Sequence, residues 1–158
     1  MTIDRIVVGY DGYRQSRGAL ASAVREASVT GAVVHVVTAW TPSGHRPPEV
    51  AAMAERLRHR QAEAVRAAVG RVSVGSRPVV TASVVLADPV TALAMAAEQA
   101  DLVVIGSGTH VPERLTARLK RWPHRHGGPC PVRVVRTLSM NDVRLEIRDL
   151  TRIPQLAS

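Results

Sequence analysis

The chain has 158 residues, a length that favours one domain with a sizeable buried core. Apolar residues make up 46% and charged residues 22%, which excludes a wholly disordered chain, and no apolar run approaches the ~20 residues of a membrane span. The net charge of +8 is uneven: residues 110–136 carry seven basic groups and one acidic group, against eleven and nine in residues 1–109 and three of each in residues 137–158.

Aromatic residues are only 3%, namely Tyr10, Tyr13, Trp40 and Trp122, so the core has to be built from Val, Ala, Leu and Ile. The single cysteine, Cys130, excludes an internal disulfide. Together with the absence of an opening signal peptide, it points to a cytoplasmic protein.

The stretch from Ile3 to Gly9 ends in an apolar run and a glycine, which predicts a buried strand. Tyr10-Asp-Gly-Tyr13 is turn chemistry. From Gln15 to Thr30, Ala19, Leu20, Ala23, Val24 and Ala27 recur at helical spacing, and Gly31 suits the position just past a helix end. Val33 to Ala39 is a β-branched run and a second strand. Thr41 to Pro48 reads as a loop, and Glu49 to Val69 as a long helix closed by Gly70. Val79 to Leu86 is a third strand.

Asp88 and Pro89 then supply an N-cap and a first helical residue for a helix running to about Ala100. Leu102 to Ile105 is a fourth strand, followed by Gly106-Ser-Gly-Thr109. Pro112 to about Trp122 is helical, and Pro131 to Val135 is a fifth strand. Residues 138–158 form a tail, in which Val143, Leu145 and Ile147 fit a strand while Val143, Ile147 and Leu150 equally fit a helix face. The alternation of strand and helix implies an α/β fold: one doubly wound five-stranded parallel sheet over residues 1–137 with helices on both faces. Ligands of such sheets sit beyond the carboxyl ends of the strands, where the strand order reverses.

Four segments in register resemble the universal stress protein family. They are Ile6-Val-Val-Gly-Tyr-Asp-Gly12 with Ser16, Ala87-Asp-Pro89, Ala100-Asp-Leu-Val-Val-Ile-Gly-Ser107, and Pro129-Cys-Pro-Val-Arg-Val-Val-Arg136. The resemblance covers roughly residues 3 to 136. It implies an adenine-nucleotide-hydrolase-like α/β domain, a homodimer formed through the last strand, a regulatory role in stress response and, in many members, bound ATP. Mg²⁺ would accompany ATP only.

The resemblance also implies a site. Gly9, Tyr10, Asp11 and Val37 would belong to the nucleotide site, with Asp11 contacting the adenosine part. Gly106, Ser107, Gly108 and Thr109 fall in the glycine motif that holds the phosphates. That motif departs from the family's pattern here. Thr109 stands three residues after Gly106 where a second glycine is usual, unless Gly108 takes that place. The later Gly-Ser position falls at Arg118-Leu119 or Leu119-Lys120. Glycines let backbone N–H groups close around a phosphate, and bulky residues block that approach.

The reading taken is a non-catalytic regulatory protein with a degenerate nucleotide site, acting through a protein partner. The alternatives are a sensor of ATP or another phosphate-bearing ligand, in which Arg114, Arg118 or Lys120 replaces the backbone contacts, and anion or nucleic-acid binding through residues 110–136.

Each candidate also has a purely structural account. Asp11 caps a turn, and Gly106 and Gly108 make one. Asp88 caps a helix, although Asp11 and Asp88 together could hold Mg²⁺. Arg114, Arg118 and Arg121 sit at i, i+4 and i+7 of a solvated helix face, with Leu115 and Leu119 marking the apolar one. Nucleic acid is not the expected partner, because only Trp122 offers an aromatic platform. His124, His126 and Cys130 lack any standard metal-ligand spacing, and Cys130 reads as packed rather than reactive. No catalytic constellation is present.

Overall fold

The computed structural model describes residues 2–107, 110–121 and 128–136, and the tail from 138 lies outside them. The apolar runs become five strands: β1 (Arg5–Gly9), β2 (Val33–Ala39), β3 (Val80–Val85), β4 (Leu102–Gly106) and β5 (Val132–Val135). Four helices alternate with them: α1 (Arg14–Thr30), α2 (Pro47–Gly70), α3 (Pro89–Ala97) and α4 (Val111–Leu119). The strands form one all-parallel sheet in the order β3-β2-β1-β4-β5. The chain winds outward from β1 to β3, then returns to the other side of β1 through β4. The order therefore reverses between β1 and β4.

Side-chain alternation along the strands divides the core into two layers. Ile6, Val8, Val34, Val36, Leu102 and Val104 face α1 and the second half of α2. Val7, Val37, Val103 and Ile105 face α3 and α4. Ala19, Ala23 and Ala27 form the buried stripe of α1, so small side chains bring that helix close to the sheet and no Phe is needed.

Several boundaries differ from the sequence expectation, among them the start of α2 and the end of α3. Helix α2 begins at Pro47 rather than Glu49, because both prolines occupy the first turn, where no N–H is needed. The Glu49 carboxylate accepts the Arg46 N–H at 3.3 Å there. Helix α3 stops at Ala97, and a tight turn in which the Ala100 N–H donates to the Ala97 carbonyl delivers Ala100 to the core.

Two buried polar groups tie layers together. Asp101 accepts the backbone N–H groups of Asp4 and Arg5 at 2.9 and 3.0 Å, locking the start of β1 to that of β4. Gln61, only 2% exposed on α2, donates through Nε2 to the carbonyls of Val36 and Ser83 at 3.2 and 2.9 Å. It also reaches the Thr38 hydroxyl at 3.1 Å.

Gly75 has φ +86°, and a Cβ there would fall on the Ser28 carbonyl, which accepts the Ser76 N–H. Gly75→Ala should therefore lower stability by about 2 kcal/mol or more, read as a fall in the denaturation midpoint. On the outer part of the sheet, His35 lies between Thr81 Oγ1 at 2.7 Å and Ser83 Oγ at 3.0 Å. Burial, then the Arg5 charge, hold its imidazole pKa below the ordinary value of 6.5. The stability tied to neutral His35 is complete above that value and is lost as the pH falls through the lower folded pKa. Denaturation between about pH 7 and about pH 5 should show this loss, and His35→Gln should reduce it.

Candidate functional site

A cleft of about 320 Å³ opens at the carboxyl ends of β1 and β4, at the reversal of strand order. Its floor is apolar. Val37, Ala39, Leu93 and Ile105 line it from β2, α3 and β4. Gly9 belongs to this floor because a Cβ there would press on Ile105 and Leu93 at 3.1 and 3.2 Å. The Tyr10 N–H continues the β1–β2 ladder to the Val37 carbonyl at 2.9 Å, and its buried ring carries a raised phenol pKa, caused mainly by burial.

Gly106 and Ser107 form the wall on the β4 side. A Cβ on Gly106 would come within 2.5 Å of the Gln15 backbone carbon. The first turn of α1 thus passes directly over the end of β4, which only glycine allows.

Asp11 organises the entrance. Its Oδ1 accepts the Tyr13 N–H at 2.9 Å and the Ser16 hydroxyl at 2.6 Å. The structural account of Asp11, a side chain that caps the turn before α1, is therefore realised. The same residue still lines the cleft, as do Tyr13, Gln15 and Ser16. Tyr13 was read only as a turn residue. It is 72% exposed at the rim, and the spacing of an exposed aromatic just after a strand-end Asp was the available signal.

Asp88 is not among the residues lining the cleft. It caps α3, accepting the Thr91 N–H at 3.1 Å, and hydrogen bonds from Thr91 lower its pKa. The carboxylate pair considered for Mg²⁺ is thus not assembled within the cleft wall. No cluster of three metal-ligating side chains occurs among the described residues.

The basic stretch is divided. Arg118 lies off the cleft, with Nη1 3.5 Å from Thr91 Oγ1 on α3, and the Arg114 charge acts on Asp88. Arg121 falls beyond the end of α4 and does not share their face: it lines a second groove, between α4 and β5, with Lys120 and Arg136. Leu115 and Leu119 are buried, as their spacing predicted. Cys130 is packed, its thiol pKa pushed up to about 11 by burial and then by Asp101. Gly108, Thr109, Trp122, His124 and His126 lie outside the described residues.

The comparisons agree with this architecture. A family model described as the universal stress protein family matches residues 2–119. A member of that family from Burkholderia pseudomallei has a solved structure with 26% identity and a TM-score of 0.58, the match covering 84% of this chain and 95% of that one. A universal stress protein solved in complex with cAMP shows 24% identity and a TM-score of 0.58, over 87% of this chain and 100% of that one. The universal stress protein from Archaeoglobus fulgidus in complex with dAMP shows 20% identity and a TM-score of 0.56, over 85% and 98%. No curated protein matches the chain. No helix among the described residues is long and apolar enough to cross a membrane. The family match runs from ahead of β1 to the end of α4 and takes in every described residue that lines the cleft, so the chain belongs to the universal stress protein family.

Proposed function

We propose that the chain is a non-catalytic regulatory protein whose cleft takes the nucleoside part of an adenine nucleotide, while the family's glycine-based phosphate cradle is degenerate. The cleft carries this reading. Its volume of about 320 Å³ lies at the small end of ligand pockets, the scale of a base and sugar rather than a whole triphosphate. Its floor is apolar, with polar groups confined to one rim, as a flat heteroaromatic base requires. Relatives of the same fold were solved with cAMP and dAMP.

The end of α4 supports the reading of a degenerate phosphate side. The positions matching the family's Gly-Ser sit at the end of α4, where Leu119 is buried. Arg118 and Leu119 lie inside α4 and the Lys120 N–H donates to the Thr116 carbonyl at 3.2 Å, so the N–H groups of these positions belong to the helix.

The absence of turnover rests on the lining. Among the described residues, Asp11 is the only carboxylate of the cleft, and Tyr13 and Ser16 occupy its Oδ1. Among the described residues no His, Lys or Cys lines it, and the carboxylate–hydroxyl pair of Asp11 and Ser16 is tied into the turn before α1 by the Tyr13 N–H and carbonyl.

Thermal unfolding tests this with adenosine, with ATP plus Mg²⁺, and with guanosine as control. Adenosine at about 100 times its dissociation constant should raise stability by ~2.7 kcal/mol, several degrees for this size, and ATP should not be hydrolysed. No shift with either adenine compound, or multiple-turnover release of phosphate, overturns the reading.

The second element is a homodimer formed through β5. This strand has four residues at the sheet edge, and Val134 on it is exposed. Among the described residues β4 alone pairs with it, and a free edge of this kind favours pairing with another strand. Sedimentation at micromolar concentration should return about twice the chain mass of 17.0 kDa, and a monomer mass throughout overturns it.

A further inference from the structure

The groove between α4 and β5 has a volume of about 1010 Å³ and is open to solvent along its length. Three cations line it. Lys120 and Arg121 come from the end of α4, and Arg136 follows the last residue of β5. None of the three is paired with a carboxylate among the described residues. Among the described residues the one acid in the groove, Glu113, sits 3.7 Å from His110. Elsewhere an exposed arginine on the same strand, Arg133, does find a partner, Glu26. Like charges gathered without counter-charge repel one another, and an anion between them relieves that repulsion.

The groove and the cleft meet. Ser107 lines both. Its N–H donates to the Val135 carbonyl at 2.9 Å, which places Arg136 beside the point where the cleft opens into the groove. Thr116 lies farther along the same wall and offers a hydroxyl. A ligand whose base fills the cleft therefore has one cationic exit on this side, past Ser107. The opposite basic pair, Arg114 and Arg118, lies along α3 and outside both cavities.

We propose that the α4–β5 groove receives the phosphate chain of the nucleotide held in the cleft, with the side chains of Arg136, Lys120 and Arg121 taking over from the glycine cradle. The inference rests on the adenosine reading of the cleft and adds the phosphate contacts. It makes the preferred ligand a nucleoside di- or triphosphate rather than a nucleoside. Arg136 meets the first phosphates beyond Ser107, and Lys120 and Arg121 meet the distal ones.

Calorimetric titration of the full chain with adenosine, ATP and tripolyphosphate tests it. ATP should bind about 10-fold or more tighter than adenosine, and raising the salt should erode that gain while leaving adenosine unchanged. The pair of substitutions Lys120→Gln and Arg136→Gln should bring ATP down to the adenosine affinity without altering adenosine binding. Arg114→Gln with Arg118→Gln removes the same charge elsewhere and should leave the ATP gain intact.

Equal affinities for ATP and adenosine in the unsubstituted chain overturn the groove assignment and leave the nucleoside reading standing. Loss of the gain in both double variants overturns it too, because only net charge would then matter. No binding of adenosine or ATP overturns both readings. Retention of a single-stranded oligonucleotide more tightly than ATP would give the groove to nucleic acid and overturn its assignment to a phosphate chain.

Discussion

The close passage of α1 over the end of β4 is the constraint from which the rest of the site follows. With a hydrogen in place of a side chain at Gly106, the Gln15 backbone can lie where a Cβ would be. That contact brings the start of α1 to the reversal point of the sheet, and with it the Asp11–Tyr13–Ser16 turn that forms the cleft's rim. On the other layer, Gly9 leaves room for Leu93 and Ile105, whose side chains make the floor. Two glycines on adjacent strands thus set a helix above the cleft and an apolar surface beneath it. Their first role is packing, and a concave site is its geometric consequence.

On the proposed reading of a degenerate phosphate motif, the same view explains why the cavity persists. The glycines at 9 and 106 are required by protein–protein contacts that exist without any ligand. The missing Gly-Ser of the family's motif has no such structural duty here, because the region is occupied by a regular helix whose Leu115 and Leu119 fill the core beneath it. A helix satisfies its backbone donors internally, so this segment offers a ligand side chains rather than N–H groups.

Much of the fold was legible because it rests on local signals. The β-branched runs, the Asp88 cap with Pro89 and the four-residue spacing of Leu115 and Leu119 each act within one element, and the structure realises all of them. Failures lie where distance in sequence decides. The end of α3 is set by the need to bury Ala100, whose carbonyl lies 3.6 Å from Cys130 Sγ, thirty residues on. Gln61 looks like an ordinary helix surface residue until α2 is laid on β2 and β3. Arg121 continues the i, i+4, i+7 series on paper, yet α4 ends at Leu119 and the chain turns away. Arg136 entered only as the end of the basic stretch 110–136, with no place of its own at the site. It becomes a neighbour of Ser107 only through the parallel register that sets Gly106 beside Val135.

The division between a cleft with an apolar floor and a basic groove has thermodynamic consequences on the proposed reading. A backbone cradle is rigid before the ligand arrives, whereas Lys and Arg side chains surrender about 2 kcal/mol of rotamer freedom when held. Exposed charges are also screened by salt over about 8–10 Å. Recognition of the base then depends mainly on burial and changes little with ionic strength, while the phosphate contribution is smaller and adjustable. The two halves of the site therefore respond to different variables: the cleft to nucleoside identity, the groove to phosphate number and ionic conditions. Such a ligand stays exchangeable, because its charged end is never sealed from water. For a protein that works without turnover, as proposed, exchange is what lets bound nucleotide follow its concentration in solution.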